Sequence, residues 1–181
     1  QRVVTIAPSL TETLVALGAL DRVVGVSRFD ELPQVEKLPR VGGFTNPSVE
    51  TIIALKPELV VVQKAPGNQQ PVETLAALGV TVLALPLTTV QDVLDAITEL
   101  GTALHLDAAA EGLRGQLQQT RDAVRARAKA RGTTKSVMLV YGFSPLVVAG
   151  PGSFADELLA DCGVQNVVKR APTAYPVWSK E

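Results

Sequence analysis

The apolar positions of this chain change their period several times, and each change marks an element. Residues 2–7, "RVVTIA", form a short apolar run that reads as a strand and is broken by Pro8. Ser9 to Glu12 has the S-x-x-E spacing of a capping box, which predicts a helix running through "TLVALG" with Gly18 as its C′ residue. "RVVGVS" (22–27) is a second strand, and after a loop rich in Pro and Gly a short helix is expected over 48–55. "ELVVV", ending at Val62, is so apolar that both its faces must be covered. "QQPVETLAALG" reads as a helix with Pro71 near its start, and "VTVLAL" as a strand again. The runs "LVALGALDRVVGV" and "LAALGVTVLAL" echo each other as helix, glycine stop and β-branched strand. Alternation of this kind predicts a parallel sheet covered on both faces, with residues 1–87 as one α/β lobe.

Past this point the pattern changes. Residues 89–106 read as one helix, and Asp107 to Arg131 as a long, mostly polar one. At about 1.5 Å per residue the second would span roughly 37 Å. Its apolar positions Leu113, Leu117 and Val124 leave only a narrow stripe. Such a helix bridges domains, packs along the side of a lobe or forms a coiled coil. Gly112 and Gly115 are its weak points, each costing about 1 kcal/mol relative to alanine. A second α/β run follows: "SVMLVYGF" (136–143) as a strand, "LVVAG" as another, and "SFADELLADCG" as a helix stopped by Gly163. This run has too few strands to close a sheet. The expected organisation is an N-terminal lobe (1–87), a helical linker (88–132) and a partial C-terminal lobe (133–181).

Composition narrows the function. The 181 residues are 46% hydrophobic and 19% charged, with a net charge of -1, so there is no electrostatic reason to expect nucleic acid. The apolar runs are too short to span a bilayer as a helix. Cys162 is the single cysteine and cannot form an internal disulfide. His105, the only histidine, falls at a helix end and reads as solvent-facing; one histidine also argues against a divalent metal site. "AGPGS" (149–153) precedes a helix and has the look of an anion cradle. It lacks the P-loop lysine and spacing and the G-x-G-x-x-G order, so a plain turn is the better reading. With no Ser-His-Asp, Cys-His or paired-carboxylate arrangement near a plausible cleft, neither catalysis nor a cofactor is expected; a nucleotide-dependent α/β enzyme is the remote alternative, since it would need a phosphate loop.

Aromatics make up only 4% of the chain, yet Phe44, Tyr141, Phe143, Tyr175 and Trp178 all fall at predicted strand ends or in loops. Gly42 and Gly43 permit the sharp backbone geometry that would present Phe44 at the C-terminal edge of the sheet, where open α/β sheets hold ligands. The bland alternative is an aromatic folded back on its own lobe. Phe29, just past the strand 22–27, carries the same two readings. Ser9 is either a plain N-cap or a residue whose amide and hydroxyl face the cleft. Glu50 falls in a helix first turn, where a carboxylate is favourable by roughly 0.3–1 kcal/mol.

Taken in order, "RVVTIAPSLTETLVALGALDRVVGVS", "VGGFTNPSVETIIALKPELVVV", "MLVYGFSPLVVAGPGSFADELLADCGVQNVV" and "AYPVWSKE" resemble the helical-backbone (class III) family of periplasmic substrate-binding proteins that serve ABC importers. The resemblance implies two Rossmann-like α/β lobes joined by a long interdomain helix. The second lobe would be incomplete, because family members continue well past this point. It implies capture of a small ligand in an interlobe cleft and delivery to an ABC transporter permease, without chemistry. Cobalamin or a related corrinoid is the first expectation for that ligand, a ferric siderophore the second and haem the third. Haem-binding members present a tyrosine where this chain has Phe44, and corrinoid-binding members an aromatic where it has Gln63. By the same resemblance Ser9, Phe29, Phe44, Gln63, Tyr141, Phe143 and Tyr175 would line the cleft, while Glu50 and Glu181 would dock, one per lobe, on basic permease residues. The protein would be periplasmic, or a lipoprotein on the outer face of the cytoplasmic membrane, with its signal peptide removed.

Overall fold

The computed structural model describes residues 1–132 and 134–179. The chain divides into two compact units: Gln1–Pro86 with Asp95–Leu113, and Leu87–Leu94 with the chain from Arg114 on.

The first unit is built on four parallel strands in the order β2-β1-β3-β4: β1 (Val3–Thr5), β2 (Val23–Gly25), β3 (Leu59–Gln63) and β4 (Thr81–Leu85). Val3 lies opposite both Val23 and Leu59, so β1 and β3 are flanked on both sides and read as continuous apolar runs. Val4, Ile6, Val60 and Val62 point to one face and are fully buried with Val41, Ile52 of α2 (Val49–Ala54) and Leu75 of α3 (Gln69–Ala77). Helix α1 (Pro8–Ala16) packs on β1 and β3 through Leu10 and Leu14. The apolar runs and the helix–glycine–strand repeats predicted these parallel strands and the helices between them.

One boundary is corrected. The capping box at Ser9 does not form: α1 opens at Pro8, with Ala7 as N-cap and no side-chain cap. Proline lacks the N–H that a first helical turn leaves unbonded, and its φ is already helical, so it takes the N1 position and Ser9 moves inside the turn. A reciprocal cap forms instead at the start of α4 (Val90–Leu104). There the Thr89 hydroxyl accepts from the Asp92 amide at 3.1 Å, and Asp92 Oδ2 accepts from the Thr89 amide at 2.8 Å.

Helix α5 (Asp107–Arg131) is continuous, with no break at Gly112 or Gly115, and of its residues only Ala110 is buried. A side chain at Gly101 of α4 would collide with Ala110, so this glycine lets the two helices meet closely. Arg22 donates from Nη1 to the Leu104 carbonyl at 2.7 Å and closes the end of α4. His105 follows in a left-handed conformation (φ 57°) and is exposed, as its position predicted.

In the second unit the strand pairing differs from the expectation. The single strand expected over 136–143 is two: β5 (Ser136–Val137) pairs in parallel with β8 (Gln165–Asn166), and β6 (Val140–Phe143) turns back at Ser144-Pro145 to pair antiparallel with β7 (Leu146–Val148). An apolar run records burial, not which neighbour a strand will pair with. Helix α6 (Phe154–Asp161) starts at Ser153, whose hydroxyl accepts from the Asp156 amide at 3.2 Å, and Gly163 follows it at φ 67°. Asp161 is buried and accepts from Arg121 Nε at 2.7 Å and Arg125 Nε at 2.6 Å, both on α5.

Candidate functional site

Because all four strands of the first unit are parallel, the segments that follow them emerge at one edge. Ser9 lies there after β1, Arg28 and Phe29 after β2, and Gln63 and Lys64 at the end of β3. The loop 42–46 joins them because Val26 bridges to Arg40 and Gly42 to Pro47, which extends the sheet beyond β2 and turns the chain back. Gly42 has φ 97°, and a Cβ there would fall 2.7 Å from the Asn46 carbonyl oxygen, so this turn requires glycine.

Asn68 cross-ties the edge. Its side chain is almost fully buried, and its Nδ2 donates to the Phe44 carbonyl at 2.8 Å and to the Gln63 carbonyl at 2.7 Å. Its Oδ1 accepts from the Ala65 amide at 3.2 Å. One amide thus binds the Phe44 loop to the end of β3 with all its polar capacity but one lone pair spent. An open pocket of about 440 Å³ adjoins it, lined by Lys64, Ala65, Asn68, Gln69, Val72 and Ala84.

The predicted residues occupy distinct environments. Phe29 is 54% exposed, with the Arg28 guanidinium carbon 5.0 Å from its ring centroid. Phe44 is half-buried and packs against the unit's hydrophobic cluster while its backbone carries the loop. Ser9 is exposed in the first turn of α1, and Gln63 is half-buried. Glu50 is exposed in the first turn of α2, whose N-cap Ser48 accepts from the Thr51 amide at 3.3 Å; no ion pair to Glu50 occurs among the described residues. Glu181 lies outside the described residues.

In the second unit Tyr141 and Tyr175 meet edge to face, with ring centroids 5.3 Å apart and an interplanar angle of 82°. Both remain more than 40% exposed, and burial of the remainder raises both phenol pKa values above the ordinary one. Phe143, on the same strand as Tyr141, is 81% exposed. Trp178 is half-buried, and its amide donates to the Leu146 carbonyl at 2.8 Å. The "AGPGS" turn has a local acceptor: Asp156 Oδ2 takes the Gly152 amide at 2.9 Å.

Sequence reading missed Arg28, Asn46, Asn68 and Asp30. Asn68 carried a signal, since "APGN" directly after an apolar strand marks a turn. Asp30 carried none. It is 4% exposed, and neither carboxylate oxygen has a hydrogen-bond partner. Burial pushes its pKa above the usual carboxylate range, countered only in part by nearby Thr11, Arg40 and Ser27.

A parallel sheet with its loops gathered at one edge, a long polar helix and a second α/β unit define a class, and the chain belongs to it: residues 3–181 match the periplasmic binding protein family. Among curated relatives, the chain is 30% identical over 181 residues to the vitamin B12-binding protein of Photorhabdus laumondii, covering 99% of this chain and 66% of the relative. Of solved structures, the periplasmic haem-binding protein of Roseiflexus sp. RS-1 superposes with a TM-score of 0.89 at 25% identity, over 99% of this chain and 70% of that one. The periplasmic vitamin B12 binding protein of Vibrio cholerae superposes with a TM-score of 0.84 at 24% identity, over 99% and 70%, a likeness of fold. The chain spans just under two thirds of the length of the curated relatives it matches.

Proposed function

We propose that the protein is the substrate-capturing component of an ABC importer, working outside the cytoplasmic membrane, and that it binds cobalamin or a related corrinoid. It binds and releases its ligand unchanged. The observation that carries this reading is the edge of the first unit, where Asn68 ties the Phe44 loop to the Gln63 end of β3 and Arg28 ties the Phe29 segment to that same loop. A flat, partly apolar ligand needs such aromatic walls with a few polar groups to orient it. The relatives named for vitamin B12 support the choice of ligand. A ferric siderophore or haem is the second reading, favoured by the exposed phenols of Tyr141 and Tyr175 and by the haem-binding relatives. Glu50 and Glu181 are proposed as the permease-docking carboxylates.

The test is an absorbance titration of the full-length protein with cyanocobalamin, haem and a ferric hydroxamate. Cyanocobalamin is expected to bind at about micromolar Kd or tighter. Phe44→Ala should weaken it about tenfold, while Glu50→Lys leaves the titration unchanged and lowers ligand-stimulated ATPase activity of the reconstituted transporter. Haem or hydroxamate binding without cobalamin binding moves the assignment to the second reading. No binding of any of the three sinks it.

A further inference from the structure

Arg28 occupies the same sheet edge as Phe29, Phe44 and Gln63, three residues beyond β2. Three contacts hold it. Its backbone amide donates to the Gly42 carbonyl at 2.8 Å, its Nη2 donates to Asn46 Oδ1 at 2.9 Å, and its guanidinium lies over the Phe29 ring. Gly43 closes the assembly: a Cβ there would fall 2.8 Å from Phe29 Cε2 and 3.3 Å from Arg28 Nε. The two loops are therefore interlocked, and the guanidinium is set between a neutral amide and an aromatic ring.

Neither neighbour neutralises it. No carboxylate lies within ion-pair distance of Arg28 among the described residues, and Asp30, two residues on, is buried with neither carboxylate oxygen hydrogen-bonded. Asn46 uses one of five N–H donors, which leaves most of a planar fork free. Such a fork matches the two oxygens of a carboxylate or phosphate, and the charge-assisted bonds it makes are about twice as strong as neutral ones. Lys64, first past β3 at the same edge, is a second cation without an ion-pair partner among the described residues.

We propose that Arg28 recognises an ionised carboxylate or phosphate on the ligand. The site then takes an amphipathic molecule, with a flat apolar body against the aromatics and an anionic group at its rim. This rests on the binding-protein reading above and adds the charge of the ligand to it.

The experiment uses two pairs of probes that differ in the anion. Haem against its dimethyl ester removes the carboxylates, and cyanocobalamin against dicyanocobinamide removes the phosphate together with its ribose and benzimidazole, so the Arg28 variants isolate the part due to charge. Each is titrated into full-length wild-type protein, Arg28→Gln and Arg28→Lys, with thermal unfolding run alongside. In the pair whose anion the site reads, the charged member should bind at least about tenfold more tightly to wild type. Arg28→Gln should bring that ratio within about twofold by weakening the charged member alone, and Arg28→Lys, which keeps the charge and loses the fork, should fall between. The wild-type preference should shrink as salt rises from 0.05 to 0.5 M, on the scale of Debye screening. A ratio near one in wild type overturns the proposal, as does a ratio that neither variant changes. If neutral and charged probes bind equally well, only the assignment of Arg28 fails. If none of the four binds, the macrocycle-binding reading fails and takes the assignment with it.

Discussion

Asp30 in the first unit and Asp161 in the second are both nearly buried, at 4% and 7% exposed, yet their surroundings drive them in opposite directions. Burial alone raises the pKa of either carboxylate. At Asp30 it wins, because neither oxygen meets a partner at full hydrogen-bond geometry and Thr11, Arg40 and Ser27 offset burial only in part. At Asp161 burial is outweighed by hydrogen bonds from Arg121 and Arg125, and the pKa is held below the usual range. Equal burial therefore gives opposite linkage, and partners at hydrogen-bond distance decide the sign. The pair also locates where each unit is over-determined. Asp161 fastens α6 to α5, whereas Asp30 lies buried in the first unit, five residues past β2, without such a fastening.

The largest effect is expected at Asp161. Asp161→Asn should destabilise the protein by about 1–3 kcal/mol at pH 7, since it weakens two charge-assisted bonds and leaves Arg121 without its counter-ion. A carboxylate with a depressed folded pKa stabilises above its unfolded value near 4, and the contribution is lost as pH falls through the folded pKa. Urea unfolding at pH 7 and pH 3 should therefore show a larger wild-type advantage at the first than at the second.

Asp30→Asn should act the other way and by less, stabilising by roughly 1–2 kcal/mol at pH 7, because a neutral amide is less costly to bury than a charge. Here the folded pKa is raised, so wild-type stability falls as pH climbs through it. The variant's gain should be absent below about pH 4 and grow toward neutrality. A gain independent of pH would mean that folding leaves the Asp30 pKa unshifted. The smallest effect sharpens the second half of the comparison. Arg121 is 19% exposed at its side chain and Arg125 is 46% exposed, so Arg121→Gln should cost more than Arg125→Gln, the latter about 0.5–1 kcal/mol by chemical denaturation.

How far the sequence could be read follows from the same physics. Alternating apolar runs and glycine stops are local signals, and they located β3, α3, β4 and α5 with little error, because those elements are fixed by their own period. Ser9 misled because two signals competed one residue apart, and proline's fixed φ prevailed over serine's hydroxyl. The break in 136–143 was hidden because pairing partners come from distant sequence, at 146–148 and 165–166. At the candidate site, the aromatics were visible because they are rare. Asn68, Arg28 and Asp30 were not, since an asparagine, an arginine and an aspartate in loops look like ordinary solvated residues until the sheet gathers those loops at one edge.

The cross-tie at Asn68 has a consequence for the kinetics of capture. If the proposed site is the binding site, a loop pinned through its backbone to the end of a central strand is in place before the ligand arrives, so little ordering entropy is charged against the encounter. Association should follow a single bimolecular phase, rising linearly with ligand concentration and without the plateau that a loop-closure step imposes. Replacing Asn68 with alanine unties Phe44 from Gln63 and should introduce that plateau, slowing arrival more than it hastens departure.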